Sequence, residues 1–201
     1  MENIQTKPRV SVRRIAVAGV FSALTIVLTL VPSLGYIPIP PHTITTMHIP
    51  VIIAAMIEGP LMGAFVGLMF GLSSMYTAAT IYAGMPTAPF YLNPLVSVLP
   101  RILIGVVAYY VYTPLAKTLK NKVVPIISGA VAGTLTNAVG VLGMICLLYA
   151  RQYVEAIGVN PAGKSLLVII FGSTLINVIF EVIAASLISV PVVLALRRFQ
   201  K

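Results

Sequence analysis

The sequence predicts an all-α integral membrane protein, namely a bundle of six transmembrane helices with both termini in the cytoplasm. Of its 201 residues, 59% are hydrophobic and only 8% are charged, whereas a soluble domain carries about 25% charged residues. The apolar runs are continuous and do not alternate with polar residues, which favours helices over the strands of a barrel. The basic residues lie in short stretches beside these runs, as expected of charges that set membrane topology.

We expect one membrane domain, residues 1–201, whose six helices lie at roughly 13–33, 44–57, 60–76, 93–116, 123–149 and 164–196. The apolar run of the first segment is longer than that of a signal peptide, and no convincing cleavage site follows, so we expect a retained helix. The second segment is short. Its roughly 14 residues span about 21 Å, less than the ~30 Å hydrocarbon core, and it could instead be the first half of a kinked helix that runs to residue 76.

The distribution of basic residues separates six crossings from five. With six crossings, ten of the thirteen lie on one side: Lys7, Arg9, Arg13, Arg14, Lys117, Lys120, Lys122, Arg197, Arg198 and Lys201. Arg151 and Lys164 then lie opposite, and Arg101 lies within the membrane. With five crossings the lysine-bearing loop and the C-terminal tail would fall on opposite sides. The positive-inside rule therefore favours six.

Sequence motifs for catalysis, nucleotides and metals are weak. Residues 158–165 (GVNPAGKS) match the Walker A pattern, but that pattern requires a preceding strand and an aspartate elsewhere, and this chain contains no aspartate. The single Cys146 excludes a disulfide within the chain. His42 and His48 have no further metal ligands nearby, and no Ser-His-Asp set is present. We expect no enzyme, no metal and no cofactor, and we place His48 at the mouth of a ligand pocket.

Polar residues at helical spacing within three apolar segments indicate such a pocket. An ionisable group inside a membrane helix is costly and usually functional. The candidate substrate-binding residues are Asn93, Ser97 and Arg101 in the fourth helix, Asn137 in the fifth, and Asn177 and Glu181 in the sixth. The polar faces of the three helices reach comparable depths from the outer ends, which allows them to converge in a pocket open to the outside. The alternative is that Arg101 and Glu181 form an internal ion pair. The pocket and the ion pair are compatible if Glu181 orients Arg101 toward the ligand.

Small residues recur at intervals of four in two helices, which allows close approach of another helix. In the third helix the glycines are Gly59, Gly63, Gly67 and Gly71, and the first helix contains Ala18, Gly19, Ser22 and Ala23. These faces serve either internal packing or docking on a partner protein. Our candidates for a partner interface are Ala18, Gly19, Ser22, Ala23, Gly63 and Gly67.

Several short segments form a set of motifs: 35–39 (GYIPI), 48–55 (HIPVIIAA), 59–64 (GPLMGA), 93–95 (NPL), 99–102 (LPRI) and 136–137 (TN), with Asn177 and Glu181. Together they resemble the substrate-binding S components of energy-coupling factor (ECF) vitamin transporters, most of all the pantothenate subgroup. The resemblance implies a multi-pass protein of a prokaryotic cell membrane. It also implies a vitamin site near the outer face and assembly with a transmembrane coupling protein and two ATPases. The first helix departs from the family's usual Ala-x-x-x-Ala.

The candidate residues suit pantothenate, which carries a carboxylate, an amide and two hydroxyls. One arginine fits the carboxylate and asparagines fit the other groups. A cationic vitamin such as thiamine would favour acidic or aromatic walls, and the chain has no Trp. Riboflavin or a pyridoxine-like vitamin stays an alternative. A stand-alone small secondary transporter is another, although no internal repeat is evident, and a membrane enzyme is disfavoured.

Overall fold

The computed structural model describes residues 12–39, 42–160, 163 and 165–198, and these are predominantly helical. The elements in chain order are α1 (Val12–Leu30), α2 (Pro32–Gly35), β1 (Tyr36–Ile39), β2 (His42–Thr45), α3 (Ile49–Glu58), α4 (Pro60–Ala79), α5 (Ala88–Tyr91), α6 (Pro94–Ser97), α7 (Leu99–Thr118), α8 (Val123–Ala156) and α9 (Leu166–Arg198). The starting residue of the predicted sixth helix, Lys164, lies outside the described residues.

Five helical segments are long and apolar enough to cross a membrane: α1, α4, α8, α9 and the segment Pro94–Thr118, which contains α6 and α7. The helices α4, α8 and α9 have 20, 34 and 33 residues. At about 1.5 Å per residue each equals or exceeds the ~30 Å hydrocarbon core. The protein is therefore an all-α integral membrane protein.

The short helix α3 forms the centre of the bundle. It packs against α1, α4, α7, α8 and α9, and every residue from Ile49 to Met56 is buried. Its side chains face protein on all sides, so their apolarity reflects a core helix and a full bilayer span is not required. Whether α3 counts as a sixth crossing, with both termini in the cytoplasm, stays a prediction.

A sharp turn at Gly59 separates α3 from α4. Gly59 has a φ of 103°, a backbone conformation that residues other than glycine rarely adopt. The chain then folds back on itself, as the close approach of α4 to α3 shows: a Cβ built on Gly63 would lie 2.5 Å from the Cβ of Ala55. The alternative of one kinked helix running to residue 76 is therefore wrong.

Helix was predicted from residue 44, and this is wrong for the first residues of that segment. Ile44 and Thr45 lie in β2, which pairs with β1 in an antiparallel hairpin whose register places Tyr36 opposite Thr45. The three consecutive β-branched residues of the segment HTIT suit a strand, and Pro38 in β1 disfavours helix at the residue before it. The hairpin connects α1 with the core helix.

The glycines of α4 are used inside the bundle. A Cβ on Gly63 would lie 2.8 Å from the Cα of Gly105 in α7, and one on Gly67 would collide with the backbone carbonyl of Arg101. The bare glycine face lets α4 and α7 pack backbone against backbone. The prediction that Gly63 and Gly67 form a partner interface is therefore wrong.

The small residues of α1 are placed differently. Gly19 and Ala23 are exposed, Ala18 is half-buried and Ser22 is buried. A Cβ on Gly19 would meet no atom within 4 Å. One strip of α1, along Gly19 and Ala23, thus faces away from the bundle and is open to another protein or to lipid.

Candidate functional site

A cavity of about 530 Å³ lies at the end of the bundle where the β-hairpin and the start of α7 meet. Its walls come from α1, the hairpin, α4, α5, α7, α8 and α9. Four of the predicted site residues line it: Arg101, Asn137, Asn177 and Glu181. A cavity of this size, mostly apolar with a few convergent polar groups, is typical of a small-molecule site.

Arg101 is the one basic residue in the cavity wall among the described residues. Its side chain is held in place by a hydrogen bond from the guanidinium to the backbone carbonyl of Val96. In a regular helix that carbonyl would accept from the N–H four residues later, but residue 100 is proline and has no N–H to donate. The guanidinium also lies 5.6 Å from the centre of the Phe70 ring. Proline at residue 100 and arginine at residue 101 therefore act together to position the cation.

The charge of Arg101 has no protein counter-ion among the described residues. Its side chain is only 7% exposed, yet no carboxylate oxygen of the described residues lies within 4.0 Å of the guanidinium. The Nε atom likewise has no hydrogen-bond partner in the described part of the chain. A buried cation without a partner is costly. The cavity therefore offers a strong site for an anionic group.

Glu181 does not neutralise Arg101. One of its carboxylate oxygens accepts hydrogen bonds from the backbone N–H of Thr45, at 3.1 Å, and from the Thr45 hydroxyl. Glu181 thereby links the middle of α9 to the hairpin strand β2. The alternative of an internal Arg101–Glu181 pair is wrong for the described structure.

Asn137 and Asn177 face the cavity from α8 and α9. The side-chain oxygen of each is buried and accepts no hydrogen bond from the described residues. Buried amides in a membrane bundle usually bond to a neighbouring helix. Both residues nevertheless line the cavity, so a rotation of either side chain lets its amide donate to or accept from a polar ligand.

Three predicted site residues, Asn93, Ser97 and His48, do not line the cavity. The Asn93 side chain accepts from the N–H of Leu95, at 2.9 Å, and so caps α6; it also donates to the hydroxyl of Tyr149, at 2.9 Å. Ser97 donates to the carbonyl of Tyr91 at 2.6 Å. The spacing of four residues assumed one continuous helix in which these side chains face the pocket. In the structure a turn at Val98 separates α6 from α7, and Asn93 and Ser97 form the local bonds above instead of lining the cavity.

His48 is also absent from the cavity wall. It is completely buried at the start of α3, where its Nε2 lies 3.1 Å from the Thr134 hydroxyl of α8. The predicted position of His48 at the mouth of the pocket is therefore wrong. This residue connects the core helix to α8.

Sequence reasoning missed the tyrosines of the cavity wall, namely Tyr36, Tyr82 and Tyr91. The rings of Tyr36 and Tyr82 meet edge to face, with centroids 6.2 Å apart. Burial raises the pKa of Tyr36, with a further contribution from the neighbouring Tyr82 hydroxyl, and burial also raises the pKa of Tyr91. Both hydroxyls stay neutral at physiological pH. An available signal was that all three tyrosines lie in uncharged loops flanking the helices.

The fold and the cavity define a membrane protein that can enclose a small anionic molecule. The family model of the substrate-specific component of ECF transporters matches residues 13–193. The chain therefore belongs to this family of membrane transport proteins.

Two bacterial relatives have related names. The chain is 33% identical over 154 residues to the pantothenic acid transporter PanT of Lactococcus lactis subsp. cremoris, with 67% of this chain and 73% of that protein covered. It is 29% identical over 174 residues to the pantothenate transporter PanT of Leuconostoc mesenteroides, with 81% of each chain covered.

Proposed function

We propose that this protein binds pantothenate and is the specificity subunit of an ATP-driven ECF transporter that imports it. The observation that carries the proposal is the buried, unneutralised Arg101 in the wall of the cavity. The names of the two relatives support the same ligand.

Pantothenate has its carboxylate at one end, and Arg101 is the cation that meets it. The guanidinium makes one hydrogen bond to Val96, which leaves other N–H donors for a carboxylate. A planar guanidinium can contact both oxygens of a carboxylate at once. Because Arg101 is already desolvated in the free protein, little further cost arises when the ligand covers it.

The opposite end of pantothenate carries two hydroxyls, and the cavity supplies acceptors for them. The buried side-chain oxygens of Asn137 and Asn177 have no donor among the described residues, and a rotation of each amide brings its oxygen to the ligand. Glu181 contributes a carboxylate, one oxygen of which already accepts from Thr45. Hydroxyl donors satisfy these acceptors, whereas a second anionic group beside Glu181 would be repelled. One cation and one anion in the cavity thus favour a ligand with one acidic end and one hydroxylated end.

Energy for uptake has to come from other subunits, and we propose a transmembrane coupling protein with two ATPases. The Walker A pattern at residues 158–165 requires a preceding strand, but in the described part of the chain the element before it is the helix α8. The exposed strip of α1 along Gly19 and Ala23 is our proposed contact for the coupling protein. We assign no catalytic activity to the chain itself.

Reconstitution tests this function directly. Proteoliposomes containing this chain, the coupling protein and both ATPases should accumulate radiolabelled pantothenate only when ATP is supplied to the ATPases. Vesicles with a hydrolysis-deficient ATPase are the control. Uptake by this chain alone, independent of ATP, would instead establish a secondary transporter.

A further inference from the structure

A second cavity, of about 400 Å³, lies at the other end of the bundle. It is formed by the end of α3, the second half of α7 and the end of α9. Lys117, one of its lining residues, lies about 24 Å along α7 from Arg101 at about 1.5 Å per residue. The two cavities are therefore separated by most of a bilayer's hydrocarbon thickness, which places the second one at the opposite membrane interface.

The guanidinium of Arg197 is fixed at this cavity by two contacts. Its Cζ lies 4.9 Å from the centre of the Tyr112 ring, and it donates to the backbone carbonyl of Met56 in the last turn of α3, at 3.4 Å. A guanidinium has five N–H donors, so most of them stay available to a ligand. The cation is held in position before any ligand arrives.

The cavity has an excess of positive charge. Its acidic lining residue, Glu58, is engaged by two arginines of α1, at 2.8 Å from Arg13 and 3.6 Å from Arg14. Within the described ranges, no carboxylate oxygen lies within 4.0 Å of Lys117 or Arg197. Neither cation is therefore neutralised by a carboxylate of the described residues, and both can contact an anionic ligand.

Helix dipoles account for part of this arrangement. Lys117 and Arg197 lie in the last turns of α7 and α9, where a cation is favoured. That effect explains the sign of the charge at each helix end. It does not explain why the two cations border one cavity, together with the hydroxyl-bearing residues Tyr109 and Thr113.

We propose that this cavity binds a phosphate group presented by the headgroup of an anionic phospholipid. Lys117 and Arg197 contact the phosphate, and the hydroxyls of Tyr109 and Thr113 donate to its oxygens. Apolar wall residues such as Ile57 and Ala116 suit the glycerol and the first acyl carbons. Basic residues at a membrane interface attract anionic headgroups in this way.

Lipid retention by the purified full-length protein tests the proposal. After detergent extraction, phosphatidylglycerol and phosphatidylcholine are titrated separately and bound lipid is counted by native mass spectrometry. Wild type should retain phosphatidylglycerol in preference to phosphatidylcholine. The double variant Lys117→Gln with Arg197→Gln should bind phosphatidylglycerol at least about tenfold more weakly.

The matched control is Lys120→Gln with Lys122→Gln, which removes two charges near the same end but outside the cavity. It should keep wild-type retention. Arg197→Gln also frees a carbonyl of α3 and can loosen the fold, so Lys117→Gln alone must show part of the loss at an unchanged melting temperature. Equal retention of both lipids, or equal loss in the control variant, overturns the proposal.

Inorganic phosphate separates a lipid from a soluble anion. Phosphate added alone should raise the melting temperature of wild type only weakly, because it gains nothing from the apolar wall. If phosphate stabilises wild type and not the double variant, while phosphatidylglycerol shows no preference over phosphatidylcholine, the site takes a soluble anion and the lipid proposal is wrong.

Discussion

Replacing Arg101 by alanine removes the proposed anchor for the ligand's carboxylate. Truncating one partner of a buried charge pair costs about 2–5 kcal/mol, hence roughly 30- to 5,000-fold in affinity. We expect a loss within this range, because Arg101 is only 7% exposed and no second lysine or arginine lines the described cavity. Arg101→Lys should rescue binding partly, since an ammonium cannot reproduce the planar fork of a guanidinium.

The assay compares two ligands by isothermal titration calorimetry. Pantothenate should lose affinity strongly on Arg101→Ala, whereas panthenol, which has an alcohol in place of the carboxylate, should bind wild type weakly and lose little more. The control is Thr118→Ala, because Thr118 bonds to the Pro114 carbonyl at the far end of α7 and neither residue lines the cavity. The affinity of this variant should stay within about threefold of wild type, since only one neutral hydrogen bond is lost outside the site.

Two outcomes would refute the reasoning. Pantothenate binding that survives Arg101→Ala within about threefold would exclude Arg101 as the anchor. Equal weakening of both ligands, together with a lower melting temperature, would assign Arg101 a structural role through the Val96 carbonyl.

Three further predictions concern the hairpin, the two glycine faces and the topology. Glu181→Ala should lower both pantothenate affinity and the melting temperature, because it releases Thr45, while Glu181→Gln should keep most of both. Calorimetry measures the affinity and thermal unfolding measures the melting temperature; equal losses in the two variants would contradict this prediction. Gly67→Ala should destabilise the protein by about 1–3 kcal/mol through overpacking, whereas Gly19→Ala should not, as thermal unfolding would show. Gly19→Leu should abolish co-purification with the coupling protein while pantothenate affinity stays unchanged. A cysteine at Lys120 should resist an impermeant thiol reagent in intact cells while one at Thr87 reacts, and equal labelling would rule out six crossings with cytoplasmic termini.

The membrane class and the family could be predicted from sequence because they depend on composition and local pattern. Long uncharged runs can only be membrane helices or core helices. An arginine within such a run has few roles apart from function, which is why Arg101 could be singled out. The same reasoning identified Asn137, Asn177 and Glu181, which the fold brings to one cavity; their binding roles stay predictions.

The errors have a common physical origin in helix breaks. A spacing of four residues places side chains on one face only while the helix is continuous, and a turn at Val98 separates α6 from α7. Asn93 caps α6 and Ser97 bonds to the Tyr91 carbonyl, so neither residue lines the cavity. His48 was misplaced because it was assigned to the end of the outer loop, whereas it lies at the start of the buried helix α3.

The sequence could not predict whether the glycine face of α4 packs within the bundle or against another protein. A stripe of small residues shows that another backbone approaches closely, but not whether it belongs to the same chain. The structure supplies α7 as the neighbour of Gly67. In α1 the same type of pattern faces outward.

Equilibrium binding of the purified protein to a panel of vitamins tests whether pantothenate is its ligand. With pantothenate, riboflavin and pyridoxine titrated in turn, we predict saturable binding of one pantothenate per chain, with no comparable binding of the other two. Binding of riboflavin or pyridoxine in preference to pantothenate would contradict the account.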